Sequence, residues 1–203
     1  MINNLDLIKP LLNFEKPGDF YMLYVFKRKK DQPEGERDNH QSVRTIKTYC
    51  IESLEHLEKR YEEIKQLCEM FKARAYIHIQ KQNHHDVSLN MMVALAEKIR
   101  NGQHNQKNLF DSVVGQIKMQ EKRWIVDIDT KDEIVVHRVA HIVNAMKPEG
   151  DKIITCIPTK NGYHLITKRF DVLSFNKMMK LQGDVPDIQK KNPTLLYLPE
   201  CLS

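Results

Sequence analysis

The segment RWIVDIDT, residues 123–130, joins an apolar run to two closely spaced acids. The apolar run predicts a buried strand, and Asp127 and Asp129 follow with only Ile128 between them. Side chains two residues apart on a strand point to the same face, so we expect both carboxylates to project together. Like charges at that distance repel, and a magnesium or manganese ion with hard oxygen ligands would remove the conflict. The alternative is a strand that ends in two solvated acids before a turn.

The segments that follow this strand predict a compact α+β unit. In chain order they are RWIVDID, EIVVHRVAHIVNAMK, KIITCIP, GYHLITK, VLSFNKMMKL and TLLYLP. Their hydrophobic periodicity predicts the order β-α-β-β-α-β. This is the split βαβ layout, an RRM-like antiparallel sheet backed by two helices. In that layout the first and third strands are the central, adjacent pair.

A histidine follows the tight turn between the second and third of these strands. In PTKNGYHLIT, residues 158–167, Gly162 permits a sharp reversal and His164 lies in the strand after it. The RRM-like layout brings His164 beside Asp127 and Asp129 if their faces agree. Lys160 supplies a cation at the same turn. The alternative for His164 is a structural histidine.

A third carboxylate precedes the last strand. Asp187 begins the stretch DIQKKNPTLLYLPE, and Asp184 lies three residues before it. Either acid would complete a three-carboxylate, two-metal site of the kind that catalyses phosphoryl transfer. We favour Asp187, and the alternative for both is an acid in a turn.

Residues 1–120 predict an N-terminal α/β sub-unit of the same catalytic domain, and residues 121–203 carry the RRM-like sub-unit. The N-terminal sub-unit contains two strand-like runs on either side of a polar stretch, residues 29–42. This arrangement predicts a long hairpin with a mobile tip. Cations in FKRKK, Lys27 and Arg28 among them, are candidates to contact a nucleic-acid backbone. Arg74, at the start of RAYIHIQ, is another, and the alternative for each is an exposed surface cation.

Composition narrows the functional classes. The chain has 203 residues, 41% of them hydrophobic, and a formal net charge of +5, which suits one globular domain with a weak preference for polyanionic partners. No apolar run approaches the ~20 residues that span a bilayer, so we expect no membrane partner. The four cysteines form no C-x-x-C pair, which favours free thiols in the cytoplasm. The motifs of serine hydrolases, P-loop NTPases and zinc proteases are absent from the sequence.

Together the three motifs WIVDIDT, PTKNGYHLI and PDIQKKNPTLLYLP resemble those of the archaeo-eukaryotic primase superfamily, and its primase-polymerase branch in particular. The similarity covers residues 121–200, whereas residues 1–120 match only in general form. The second motif departs from the family pattern, since Lys160 and Asn161 stand where small residues are common.

The resemblance implies template-directed nucleotidyl transfer from an NTP or dNTP to a nucleic-acid 3′ end. Asp127, Asp129 and Asp187 would hold two Mg²⁺ or Mn²⁺ ions. His164 would contact the phosphates of the nucleotide, and Lys160 and Asn161 are triphosphate contacts by position only. Implied partners are single-stranded DNA or a primer-template, and a helicase or other replication protein. The alternatives are a nucleic-acid-binding module without strong activity and a two-metal nuclease.

Overall fold

The structure is a computed structural model that describes residues 1–32, 43–117 and 122–202. Within these ranges the protein is mixed α+β, with two antiparallel sheets. The strands are Ile2–Asn3 (β1), Asp19–Arg28 (β2), Val43–Ile51 (β3), Arg74–Ile77 (β4), Gln82–Asn83 (β5), Trp124–Ile128 (β6), Ile153–Pro158 (β7), Tyr163–Thr167 (β8), Asp187–Gln189 (β9) and Thr194–Leu198 (β10). The helices are Leu5–Ile8 (α1), Leu54–Phe71 (α2), His84–Arg100 (α3), Leu109–Gln116 (α4), Glu133–Ala145 (α5) and Val172–Lys180 (α6). Most of the expected hairpin tip, residues 33–42, lies outside the described residues.

The first sheet has the strand order β1-β10-β4-β2-β3, with β5 paired to the start of β2. The long strand β2 is apolar on both faces, which is typical of a strand covered on two sides. One face, with Leu23 and Val25, packs on α2 in the main core, whereas Phe20 and Met22 on the other face pack with α3 and α4. Ser53 caps α2, and Asn83 caps α3.

The second sheet has the order β7-β8-β6-β9. Its central pair, β6 and β8, is the one that the sequence predicts. Val126 and Leu165 face α5 and α6 and form a separate core with them. Ile125 and Ile166, on the opposite face, join the main core around the first sheet. The second sheet is therefore covered by its own helices on one side and by the N-terminal part of the chain on the other.

The last long strand does not join the second sheet, and this corrects the expected strand order. The first five residues of TLLYLP form β10, which pairs with β1 and β4 in the first sheet, while the short β9 occupies the edge of the second sheet beside β6. All five residues of β10 are buried. A strand with no polar face needs cover on both sides, which a position between two strands of the first sheet provides.

No helix in the described part of the chain has the length and apolar character that crossing a membrane requires.

Candidate functional site

Three of the predicted site residues meet at one point of the second sheet. Asp127 on β6 is paired directly with His164 on β8 and with Asp187 on β9. Residues paired across antiparallel strands share a face, with Cβ atoms roughly 5 Å apart. The three side chains therefore project together, from the face opposite α5 and α6. Asp129 lies two residues after Asp127, just beyond the end of β6, and the alternation of a strand would put it on the same face. It is exposed.

Asp127 is the centre of the group. Its side chain is 23% exposed. The Oδ2 atom accepts a hydrogen bond of 3.0 Å from the amide of Gln189, and Oδ1 lies 3.5 Å from Nε2 of His164. Burial raises the pKa of Asp127 above its ordinary value, and the negative charges of Asp129 and Asp187 raise it further. The fold thus holds carboxylates close together in spite of their repulsion.

Gly162 is required by close packing rather than by an unusual backbone angle. A Cβ atom at this position would lie 1.9 Å from the carbonyl oxygen of Ile128 and 2.6 Å from the amide nitrogen of Thr130. These two residues flank Asp129. The turn between β7 and β8 therefore rests on the backbone that carries the second carboxylate, and only glycine leaves room for that contact.

His164 is held from the other sheet. Its Nδ1 atom lies 2.9 Å from the hydroxyl of Thr194 on β10, and both side chains are buried. Nε2 faces the carboxylate of Asp127, which accepts hydrogen bonds, so we infer that the neutral ring carries its proton on Nε2 and that Nδ1 accepts from the Thr194 hydroxyl. Burial, together with the positive charge of Arg28, lowers the pKa of His164 to about 4. The imidazole is therefore neutral at physiological pH.

This lowered pKa predicts a loss of stability in mild acid. The unfolded chain binds a proton on His164 near the ordinary value of 6.5, whereas the folded chain does so only near pH 4. The free energy of unfolding therefore falls as pH drops from 6.5 to 4, by on the order of 3 kcal/mol for this group, and the full stability is present above pH 6.5. Urea unfolding at a series of pH values measures the slope, which His164→Gln is expected to reduce.

His104→Gln, which removes an exposed histidine, is the matched control and is expected to leave the slope unchanged. His78, whose pKa burial also lowers to about 4, contributes in the same direction and must be kept in both variants. Asp127 acts oppositely, since its raised pKa makes its contribution fall as pH rises above the ordinary carboxyl range. Equal slopes for His164→Gln and the wild type would contradict the assignment.

The cations predicted on β2 have different positions. Arg28, at the end of β2, is close enough for its positive charge to oppose the rise in the pKa of Asp127 and to add to the fall in the pKa of His164. Its guanidinium lies 5.8 Å from the ring centroid of Tyr76. Lys27 precedes it and points to the opposite face of the strand. Arg28 thus lies close to the acidic side chains of the candidate site, which its sequence context did not predict.

Arg74 is buried in an ion pair within the chain and is not an exposed cation, which corrects the expectation of a surface position. Its guanidinium donates two hydrogen bonds, of 2.8 and 2.7 Å, to the carboxylate oxygens of Asp31, and Arg74 is 2% exposed. The pair joins the turn after β2 to the start of β4. A buried charge needs such a partner, and for Arg74 the structure supplies it within the chain.

The two predicted triphosphate contacts in the β7–β8 turn have different surroundings. Lys160 donates a hydrogen bond of 2.5 Å to the carbonyl oxygen of Leu202, which ties the turn to the helical turn that follows β10. Asn161 is exposed at the tip. Asp184, the rival third carboxylate, is exposed in the loop before β9, whereas Asp187 is paired with Asp127.

Two site residues were missed from the sequence. Gln189 lies two positions after Asp187 and therefore on the same face, so strand alternation could have identified it. Thr194 gave no such signal, because its strand was expected to lie in the same sheet as His164. Within residues 1–32, 43–117 and 122–202, no group of three or more histidine, cysteine, aspartate or glutamate side chains is arranged to hold a metal ion.

Comparison of the chain with protein-family models, with curated proteins and with solved structures finds no match to any of the three.

Proposed function

We propose that this protein is a template-directed nucleotidyltransferase of the primase-polymerase type, which adds an NTP or dNTP to a nucleic-acid 3′ end. The observation that carries the proposal is the direct pairing of Asp127 with both His164 and Asp187 on one sheet face. These residues come from three separate motifs of the sequence. The order β7-β8-β6-β9, with α5 and α6 on one face, also supports an RRM-like unit in which β9 serves as the fourth strand.

The donor set fits a divalent metal in its chemistry and charge. Asp127, Asp129 and Asp187 offer the hard oxygen atoms that Mg²⁺ and Mn²⁺ prefer. The raised pKa of Asp127, caused in part by its two acidic neighbours, is a charge conflict that a bound cation would relieve. When bound, two such ions would align the attacking and leaving oxygens of the transfer and neutralise the charge that develops.

The remaining groups of the site suit a triphosphate. His164 would offer its Nε2 proton to a phosphate oxygen as a neutral donor, while Thr194 keeps that proton on Nε2. Arg28 would add positive charge beside the phosphates. Gln189 would keep the Asp127 carboxylate oriented through its hydrogen bond to Oδ2. These residues act by positioning and by charge stabilisation, which carry most of the catalysis in phosphoryl transfer.

The free cysteines of the chain suit a cytoplasmic protein.

Incorporation of a labelled nucleotide tests the proposal. The protein is incubated with a primed or unprimed single-stranded template, labelled nucleotides and Mn²⁺ or Mg²⁺, and the products are separated by length. We expect metal-dependent extension that requires the template. Shortening of a labelled strand without nucleotides would instead identify a nuclease. Salt-sensitive DNA binding with no metal-dependent nucleotide binding would identify a binding module.

A further inference from the structure

A large open cavity lies beside the candidate site. Its volume is about 1330 Å³, and residues from both sheets line it. This exceeds the 300–1,000 Å³ typical of sites for small ligands. Neither Asp127 nor His164 lines the cavity, so it is separate from the acids. The cavity therefore has room for a ligand that extends beyond one nucleotide.

The rim of the cavity is strongly basic. The cations that line it are Lys122, Lys147, Arg169, Lys190 and Lys191. All five are exposed and come from four separate segments of the chain. Two acids, Asp111 and Asp171, also line it, but the Asp171 carboxylate is occupied as the N-cap of α6. Cations spread along a rim suit the repeated phosphates of a chain better than one phosphate cluster.

The wall of the cavity offers aromatic rings. Tyr24 from β2, Trp124 from the start of β6 and Phe170 all line it. The Trp124 ring meets Phe170 edge to face at 5.5 Å between centroids, and the Nζ atom of Lys190 lies 5.0 Å from the Trp124 centroid. An aromatic ring beside a cation is an arrangement on which the bases of single strands stack, whatever their sequence.

The cavity is connected to the acids by two short segments. Trp124 and Asp127 lie on the same strand, three residues apart, which is about 10 Å, and strand alternation points their side chains to opposite faces of the second sheet. Lys190 directly follows Gln189, whose amide holds the Asp127 carboxylate. The cavity is therefore close to the carboxylates along β6 but opens on the other side of that strand.

We propose that this cavity binds the unpaired strand of a nucleic acid, with bases against Trp124 and phosphates along the lysine-rich rim. The inference rests on the proposed function, in which that strand is the template. The spread of the cations favours a strand over a free nucleotide. A basic rim suits a nucleic acid and an acidic peptide alike, and the aromatic wall, on which bases stack, favours the nucleic acid.

Trp124 is the only tryptophan of the chain, so its fluorescence reports directly on the cavity. The whole protein is titrated with a short oligothymidylate, without metal or nucleotide, at several salt concentrations. We expect saturable quenching whose affinity falls with salt. The double variant Lys190→Gln, Lys191→Gln should weaken binding about tenfold or more and reduce the logarithmic salt slope by about 1.4, or 0.7 per phosphate contact on a single strand.

The matched control removes the same charge elsewhere. Lys59→Gln with Lys180→Gln changes two exposed helical lysines outside the cavity and should leave affinity within about twofold. Anisotropy of a labelled oligothymidylate extends the test to Trp124→Phe, which keeps an aromatic ring, and Trp124→Leu, which does not. We expect weaker binding for Trp124→Leu than for Trp124→Phe, with circular dichroism verifying the fold of each.

Two results would overturn the inference: binding by anisotropy without any change in Trp124 fluorescence, or equal affinities for the rim variant and its control. Quenching by a free nucleotide at lower concentration than by the strand would reassign the cavity to nucleotides. Failure of the proposed function gives a different result: the protein would bind the strand at Trp124 but would not incorporate nucleotides. If incorporation occurs without strand binding at Trp124, only the inference about the cavity fails.

Discussion

Asp127→Asn is expected to reduce metal-dependent nucleotide incorporation on the order of 10²–10³-fold while leaving the protein folded. The substitution keeps the shape of the side chain and an oxygen that can accept the Gln189 hydrogen bond. It removes the central negative charge of the three-acid group, on which both the metal ions and the phosphates would depend. Initial rates of incorporation at several Mn²⁺ concentrations measure the effect.

Stability is expected to change in the opposite direction. Burial and two neighbouring acids disfavour the ionised form of Asp127, as its raised pKa indicates. Removing the charge therefore relieves a repulsion, and the urea midpoint of Asp127→Asn at pH 7 should equal or exceed that of the wild type. Stability given up for charge is a common feature of active sites. If the carboxylate of Asp127 were structural instead, Asp127→Asn would lower the urea midpoint. The rate of incorporation would then fall only as far as the fraction of folded protein falls.

The acids near β9 provide the matched control. Asp187→Asn removes the carboxylate paired with Asp127 and should reduce incorporation by a similar factor. Asp184→Asn makes the same chemical change three residues away, at an exposed loop position, and should leave the rate within about twofold. If Asp184→Asn and not Asp187→Asn abolished incorporation, the third carboxylate would be wrongly assigned.

Gly162→Ala is expected to have the largest effect on stability, on the order of 3 kcal/mol. The added Cβ would overlap the carbonyl oxygen of Ile128 at 1.9 Å and approach both backbone polar atoms of Thr130 to within 2.8 Å. Backbone atoms cannot rotate away as a side chain can, so the turn and the end of β6 must separate. Urea or thermal unfolding measures the loss.

The same variant should also impair the site. Moving the end of β6 displaces Asp129, and a displacement of about 1 Å in a catalytic group can cost on the order of 100-fold in rate. Gly115→Ala is the matched stability control, because a Cβ there meets nothing within 4 Å and the position lies in α4. It should be neutral or stabilising by up to about 1 kcal/mol. Similar losses of stability for the two variants would contradict the packing argument.

Predictions based on local pattern were confirmed where each depends on neighbours in the chain. The apolar run in RWIVDID predicted a strand, and the structure forms β6 there, over Trp124–Ile128. The tight turn at Gly162 and the adjacency of β6 and β8 followed from turn chemistry and a known layout. The sequence thus predicted His164 beside Asp127 on the condition that their faces agree, and the register of β6 and β8 meets that condition.

The sequence pattern did not show which sheet the strand Thr194–Leu198 joins, and the need to bury both of its faces decided this. The strand Thr194–Leu198 has no polar face, and only its place between β1 and β4 in the other sheet covers both sides. That choice puts the Thr194 hydroxyl on His164, and it leaves β9 as the edge strand that pairs Asp187 with Asp127. Arg74 found its partner Asp31 for the same reason, because a charge that folding buries must be paired, and its partner is 43 residues away in sequence. Side-chain periodicity records which residues face a core, whereas it carries no information on which distant segment provides that core.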